Sequence, residues 1–159
     1  RFEIDVDKAE FSAVGHDICR VTPPKELIEM ARSFQIPVTP LDEQLPVFLH
    51  GPVGAEVLKS KYVIEDEEVL NPIRCHTMGK QGMSPLDKVL FLADKIEPRK
   101  VGRYPFIAEV VDLAKENLDQ ALLCFLDHQI KAFLDHGDVV HPGMLAARDE
   151  IALGLEGSS

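Results

Sequence analysis

Ala13-Val14-Gly15-His16-Asp17-Ile18-Cys19-Arg20 is an apolar run that closes on an adjacent histidine and aspartate. An ionised Asp among apolar residues persists only when it is hydrogen-bonded, paired with a cation or bound to a metal, and an imidazole beside a carboxylate is a ready chelate. One such pair also describes an ordinary surface helix end. The interruption recurs, however, at His50 in Val47-Phe48-Leu49-His50-Gly51, His76 in Ile73-Arg74-Cys75-His76-Thr77 and Asp94 in Val89-Leu90-Phe91-Leu92-Ala93-Asp94. Each alone reads equally well as a core or capping residue. Four together suggest side chains gathered for a common purpose.

Outward from that run, the apolar residues fall at helical spacing. Asp7 to Cys19 predicts a helix capped by Asp5 or Asp7, with His16 and Asp17 in its last turn and Arg20 beyond, suited to a phosphate or to the helix dipole. Pro23-Pro24 ends it and opens a second helix over Lys25 to Phe34, stopped by Pro37 and Pro40. From Asp42 to Ser60, Leu45, Leu49, Val53 and Val57 recur every four residues. Gly51, Pro52 and Gly54 inside that stretch predict a helix ending at His50 and a new one from Pro52, or a kink. Glu65 to Glu68 suits a helix N-terminus, and Pro72 predicts distortion in the helix that carries Val69, Leu70, Ile73 and His76. Lys80 stands in the loop that follows. Ser84-Pro85 opens a helix that brings Asp94 inward. Ile107 to His136 reads as one long amphipathic helix closed by Gly137, with His128 and His136 at the surface or a helix end, and a last helix runs from Gly143 to Leu153. No segment alternates as a strand does. The expectation is an all-α single domain, a bundle of six or seven helices over residues 1–153, with a flexible tail over 154–159.

With 45% hydrophobic residues in 159, the chain can bury a core, and its formal charge of -10 argues against general binding to nucleic acid or an anionic membrane. An anionic substrate would need local cations. The densest positive run, Lys95 to Arg103, could supply them or be a solvated face. Cys19, Cys75 and Cys124 lie far apart without CxxC spacing and read as reduced thiols. No apolar run approaches the ~20 residues that span a bilayer, and the expected location is the cytoplasm.

The order His16-Asp17, His50, His76-Thr77 and Ala93-Asp94 resembles the HD-domain metal-dependent phosphohydrolases. Gly15-His16-Asp17-Ile18-Cys19-Arg20 and Leu49-His50-Gly51-Pro52-Val53-Gly54-Ala55 carry the likeness, which spans about Ile4 to Ile151. His76-Thr77-Met78-Gly79, Met83-Ser84-Pro85-Leu86-Asp87 and Ala93-Asp94-Lys95-Ile96-Glu97-Pro98 narrow it to the branch that cleaves diadenosine tetraphosphate symmetrically. The resemblance implies an HD-type helical bundle, a homodimer and two divalent metals, iron first, with manganese or zinc as alternatives. His16, Asp17 and Asp94 would serve one metal, Asp17 bridging, and His50 and His76 the other; Asp17 and Asp94 would be catalytic. Arg20, Lys80, Arg99 and Arg103 are the expected substrate contacts, Arg103 through its likeness to a basic-x-aromatic-Pro segment.

Magnitude favours such metals over a protein base, because lowering the pKa of water from about 15.7 to about 7 is worth roughly 12 kcal/mol. No GxSxG elbow, P-loop or Cys-His nucleophile pattern is present. Two other readings stay open: an HD hydrolase of another nucleotide or alarmone, and a non-catalytic nucleotide-binding regulatory module. One departure stands out. The family carries a further histidine on an initial helix, in a context like RFEH, whereas this chain passes from Arg1-Phe2-Glu3 directly to Ile4-Asp5. A helix of about twenty residues, roughly 30 Å, is therefore expected to be absent between Glu3 and Ile4. The first metal would then be missing, weakly held or completed by water, while His50 and His76 hold the second with Asp17.

Overall fold

The computed structural model describes residues 3–97, 102 and 104–157. Among them there is no strand, and the fold is all-α as expected, with nine α-helices among the described residues where six or seven were expected. The chain divides into two compact units, Arg1–Thr77 and Met78–Ser159. None of the described helices is long and apolar enough to cross a membrane.

The first unit holds α1 (Val6–Gly15), α2 (Pro24–Ser33), α3 (Pro40–Gln44), a 3-10 helix (Pro46–Leu49), α4 (His50–Tyr62) and α5 (Glu67–Cys75). Proline opens three of these segments, where its missing N–H would be unsatisfied in any case. Pro40, expected to end a helix, instead starts α3, because Thr39 and Asp42 form a reciprocal capping box around it. Leu27 and Ala31 of α2 pack with Cys19, Leu49, Val53 and Val57 into one apolar cluster. On the other side of α4, α1 and α5 lie together, joined by the buried Ser12 hydroxyl, which donates to the Val69 carbonyl at 3.1 Å.

Two further boundaries in this unit differ from expectation. α1 stops at Gly15, four residues before Cys19, and the chain continues in turns closed by i to i+3 bonds, such as Arg20 N–H to Asp17 O at 2.9 Å. His16 and Asp17 thus stand just past the helix. α4 begins at His50, so Gly51 and Pro52 fall in its first turn, where neither breaks a helical bond. α5 runs through Pro72, which lies buried inside it.

The second unit holds α6 (Pro85–Ile96), α7 (Ile107–Ala114), α8 (Leu118–His136) and α9 (Pro142–Glu156). α8 is central: its Ala121, Leu122, Phe125 and Leu126 are buried, and Phe125 meets Phe91 of α6 edge-on at 5.8 Å. The single helix expected from Ile107 to His136 is two. Asn117 takes an extended conformation (φ -144°) and accepts from the N–H groups of Asp119 and Gln120, so it caps a new helix. Gly137, at φ 78°, closes α8 as expected. α9 continues to Glu156, three residues into the stretch expected as tail.

Candidate metal centre

Three helical segments of the first unit end on a histidine. His16, His50 and His76 are the C-cap residues of α1, the 3-10 helix and α5. Each turns its Nδ1 back to the carbonyl three residues earlier: His16 to Ala13 at 2.7 Å, His50 to Val47 at 2.5 Å and His76 to Ile73 at 2.7 Å. A carbonyl can only accept, so Nδ1 carries the proton, and in a neutral imidazole Nε2 then carries the lone pair. Backbone acceptors of this kind are what fix the orientation of metal-binding histidines.

The Nε2 atoms converge. Those of His50 and His76 are 2.9 Å apart. Asp17 Oδ1 lies 3.2 Å from His50 Nε2 and 3.8 Å from His76 Nε2, and Asp17 Oδ2 lies 3.4 Å from His16 Nε2. The His76 ring meets those of His16 and His50 edge-on, with centroids 4.9 and 4.8 Å away. Two imidazole lone pairs at this separation repel unless a proton or a metal cation lies between them. The carboxylate and the partial negative charge of the nearby helix C-termini act in the same direction. Three imidazoles and a carboxylate fit a divalent transition metal by donor chemistry. His50 and His76 are buried, whereas Asp17 keeps 45% of its side-chain surface exposed, so the cluster faces solvent on the Asp17 side.

Close contact of α4 with α5 brings His50 and His76 together. A Cβ placed on Gly51 would come within 2.7 Å of the Ile73 carbonyl oxygen and 3.2 Å of His76 Cε1, so only glycine fits there. On the same two helices, Arg74 donates to Glu56 at 2.9 Å and pairs with Glu67, which also receives Lys59 at 3.0 Å. Arg74 and then Lys59 hold the Glu67 carboxyl below the usual carboxylate range. A depressed folded-state pKa adds stability that is present above the unfolded value and lost as pH falls through the folded one. Glu67→Gln should therefore lower the urea midpoint at pH 6 and narrow its difference from wild type near pH 3, as read from denaturation curves at the two pH values.

Four of the five expected metal ligands are thus together. Asp94 lies on α6 in the other unit, nearly buried, with one oxygen 2.8 Å from Lys95 Nζ. Of the expected substrate contacts, Arg20 is exposed in the turn that follows Asp17. Lys80 is half-exposed and pairs at 3.3 Å with the buried Asp87, which also completes the capping box of α6. Arg99 and Arg103 lie outside the described residues. Sequence reasoning missed Gly51 as a packing residue and Asp87 as the partner of Lys80. Histidine followed directly by glycine was the available signal for the first, and Ser-Pro-x-Asp was the signal for the second.

The model of the HD domain family matches residues 1–99. The symmetrical bis(5'-nucleosyl)-tetraphosphatase of Bacillus subtilis (strain 168) is 34% identical over 142 residues, which is 89% of this chain and 75% of that protein. The protein of the same name from Halalkalibacterium halodurans is 34% identical over 154 residues, 94% of this chain and 78% of its own. Among solved structures, a predicted HD superfamily hydrolase involved in NAD metabolism from Clostridium acetobutylicum superposes with a TM-score of 0.86 at 34% identity, covering 93% of this chain and 77% of that one.

Proposed function

This chain belongs to the HD-domain family, and we propose that it hydrolyses diadenosine tetraphosphate symmetrically, adding one water across the central P–O–P linkage to give two ADP. The observation that carries this reading is the convergence of three histidine Nε2 atoms on the Asp17 carboxylate, together with relatives that carry the name of this activity. His16, Asp17, His50 and His76 would hold metal, with Asp94 added by the family resemblance, and two ions are proposed, iron first, then manganese or zinc. When bound, they supply Lewis acidity toward water and the phosphoryl oxygens.

The rest falls to the chain's own residues. The Nδ1 protons are held on backbone carbonyls, so the imidazoles keep a fixed tautomer and direction throughout turnover. Asp17, the exposed member of the set, would hold metal at the side that is open to solvent and substrate. Arg20, three residues on, neutralises phosphate charge that the net charge of -10 would otherwise repel. The departing ADP ends in a phosphate with a second pKa of about 6, so it leaves at neutral pH without a strong acid to protonate it. The absence of disulfides at Cys19, Cys75 and Cys124 suits a reducing cytoplasm, and a homodimer is proposed from the family resemblance.

Metal-reconstituted protein incubated with diadenosine tetraphosphate in oxygen-18 water tests this directly. The expected products are ADP alone, with one label per pair. AMP with ATP would overturn the symmetrical cleavage. Turnover confined to another nucleotide would favour a different HD hydrolase, and tight binding without turnover a regulatory module.

A further inference from the structure

The second unit carries another group of ligand atoms, which shares no residue with the histidine cluster. Cys124 and His128 stand four residues apart on α8, hence on one face of that helix. Glu109, in the first turn of α7, faces them. One ligand atom from each of the three lies within 4.8 Å of the other two, with His128 Nε2 3.9 Å from Glu109 Oε2. They line a cleft of about 420 Å³ together with Leu113, Gln120 and Asp127.

Three further features make this more than a chance meeting of surface groups. The His128 ring is stacked on Phe106, 4.2 Å between centroids and 9° from parallel, which fixes its plane. Phe106 in turn packs on Phe125 of the core. Burial, and then the carboxylates of Glu109 and Asp127, push the Cys124 thiol up, and the same negative field attracts a cation. Thiolate, imidazole and carboxylate are also the zinc donor set, and bonds of about 2.0–2.3 Å place tetrahedral ligands about 3.5 Å apart. The three ligand atoms already lie within 4.8 Å of one another, so closing on a cation asks for shifts of about an ångström.

We propose that Glu109, Cys124 and His128 form a divalent-metal site of zinc type that ties α7 to α8 across the break at Asn117. Binding replaces the thiol proton with the metal and releases it to solvent. The fourth position stays open to water, since Asp127 is engaged by Arg148 of α9 at 2.7 Å. The sequence signal is Cys-x-x-x-His on a helix. Read singly, His128 is a surface or helix-end residue and Cys124 a reduced thiol, and neither alone points to a site.

Cobalt(II) titration of the reduced full chain tests the proposal, because a thiolate ligand gives a near-ultraviolet charge-transfer absorption that imidazole and carboxylate ligands do not. The expected result is one equivalent of thiolate-bound cobalt in wild type and in Asp17→Ala, no such absorption in Cys124→Ser, and at least a tenfold weaker midpoint in His128→Ala. The absence of the band in wild type would overturn the proposal. So would its survival in Cys124→Ser, which would place the thiolate at Cys19 or Cys75. His128 is exposed, so its variant keeps the test decisive should Cys124→Ser fold poorly, and a wild-type midpoint there would also overturn the site.

Discussion

Asp17→Ala is expected to lower kcat for diadenosine tetraphosphate by about a thousandfold or more while the fold persists. The Asp17 carboxylate lies within reach of His16 and His50, at 3.4 and 3.2 Å, and its removal takes away negative charge that the proposed metals would need. Loss of a single electrostatic stabiliser in a preorganised site already costs about 10²–10³ in kcat, and the role proposed for Asp17, a ligand shared by two ions, would cost more. Its side chain is 45% exposed and contributes little packing, so the change in stability should stay within about 1 kcal/mol. Steady-state kinetics, metal content and thermal melting on the same preparation check all three expectations. An active variant with its full complement of metal would remove Asp17 from the site.

Gly51→Ala should do the reverse, damaging the fold and through it the site. The added Cβ would stand 2.7 Å from the Ile73 carbonyl oxygen, a backbone atom that cannot rotate away, so α4 and α5 must separate. Overpacking of this kind costs up to about 3 kcal/mol, or about 10 °C in Tm for a chain of this length. The two helices carry His50 and His76, so metal affinity should fall with stability. Gly54→Ala supplies the comparison: its Cβ meets the Ile18 side chain at 3.1 Å, which can give way, and the loss should be smaller. Equal melting temperatures for the two variants would show that α4 and α5 can part without cost.

The helical class was legible because apolar residues recur at three- and four-residue steps, and the caps at Asp5, Ser84 and Gly137 are chemically explicit. The break at Asn117 was not. Ala114, Leu118, Ala121 and Leu122 keep one apolar phase across it, and periodicity cannot register an interruption that preserves phase. Only the extended backbone of Asn117, with its side chain capping α8, reveals two helices where one was expected. The end of α1 was misplaced for a similar reason, since Ile18 and Cys19 continue the apolar pattern in turns rather than in helix.

By itself, the sequence determined which side chains could bind metal: His16, Asp17, His50 and His76 are named by their order and by the apolar words around them. Residue identity is local information, and so is helical periodicity. The tertiary structure alone decided where those side chains point. Each histidine takes its direction from the helix end it caps, and His50 meets His76 only because Gly51 lets α4 rest against the carbonyl of Ile73. That contact joins residues far apart in the chain, and its strength lies in the close packing of two backbones, a term that no single stretch of sequence contains.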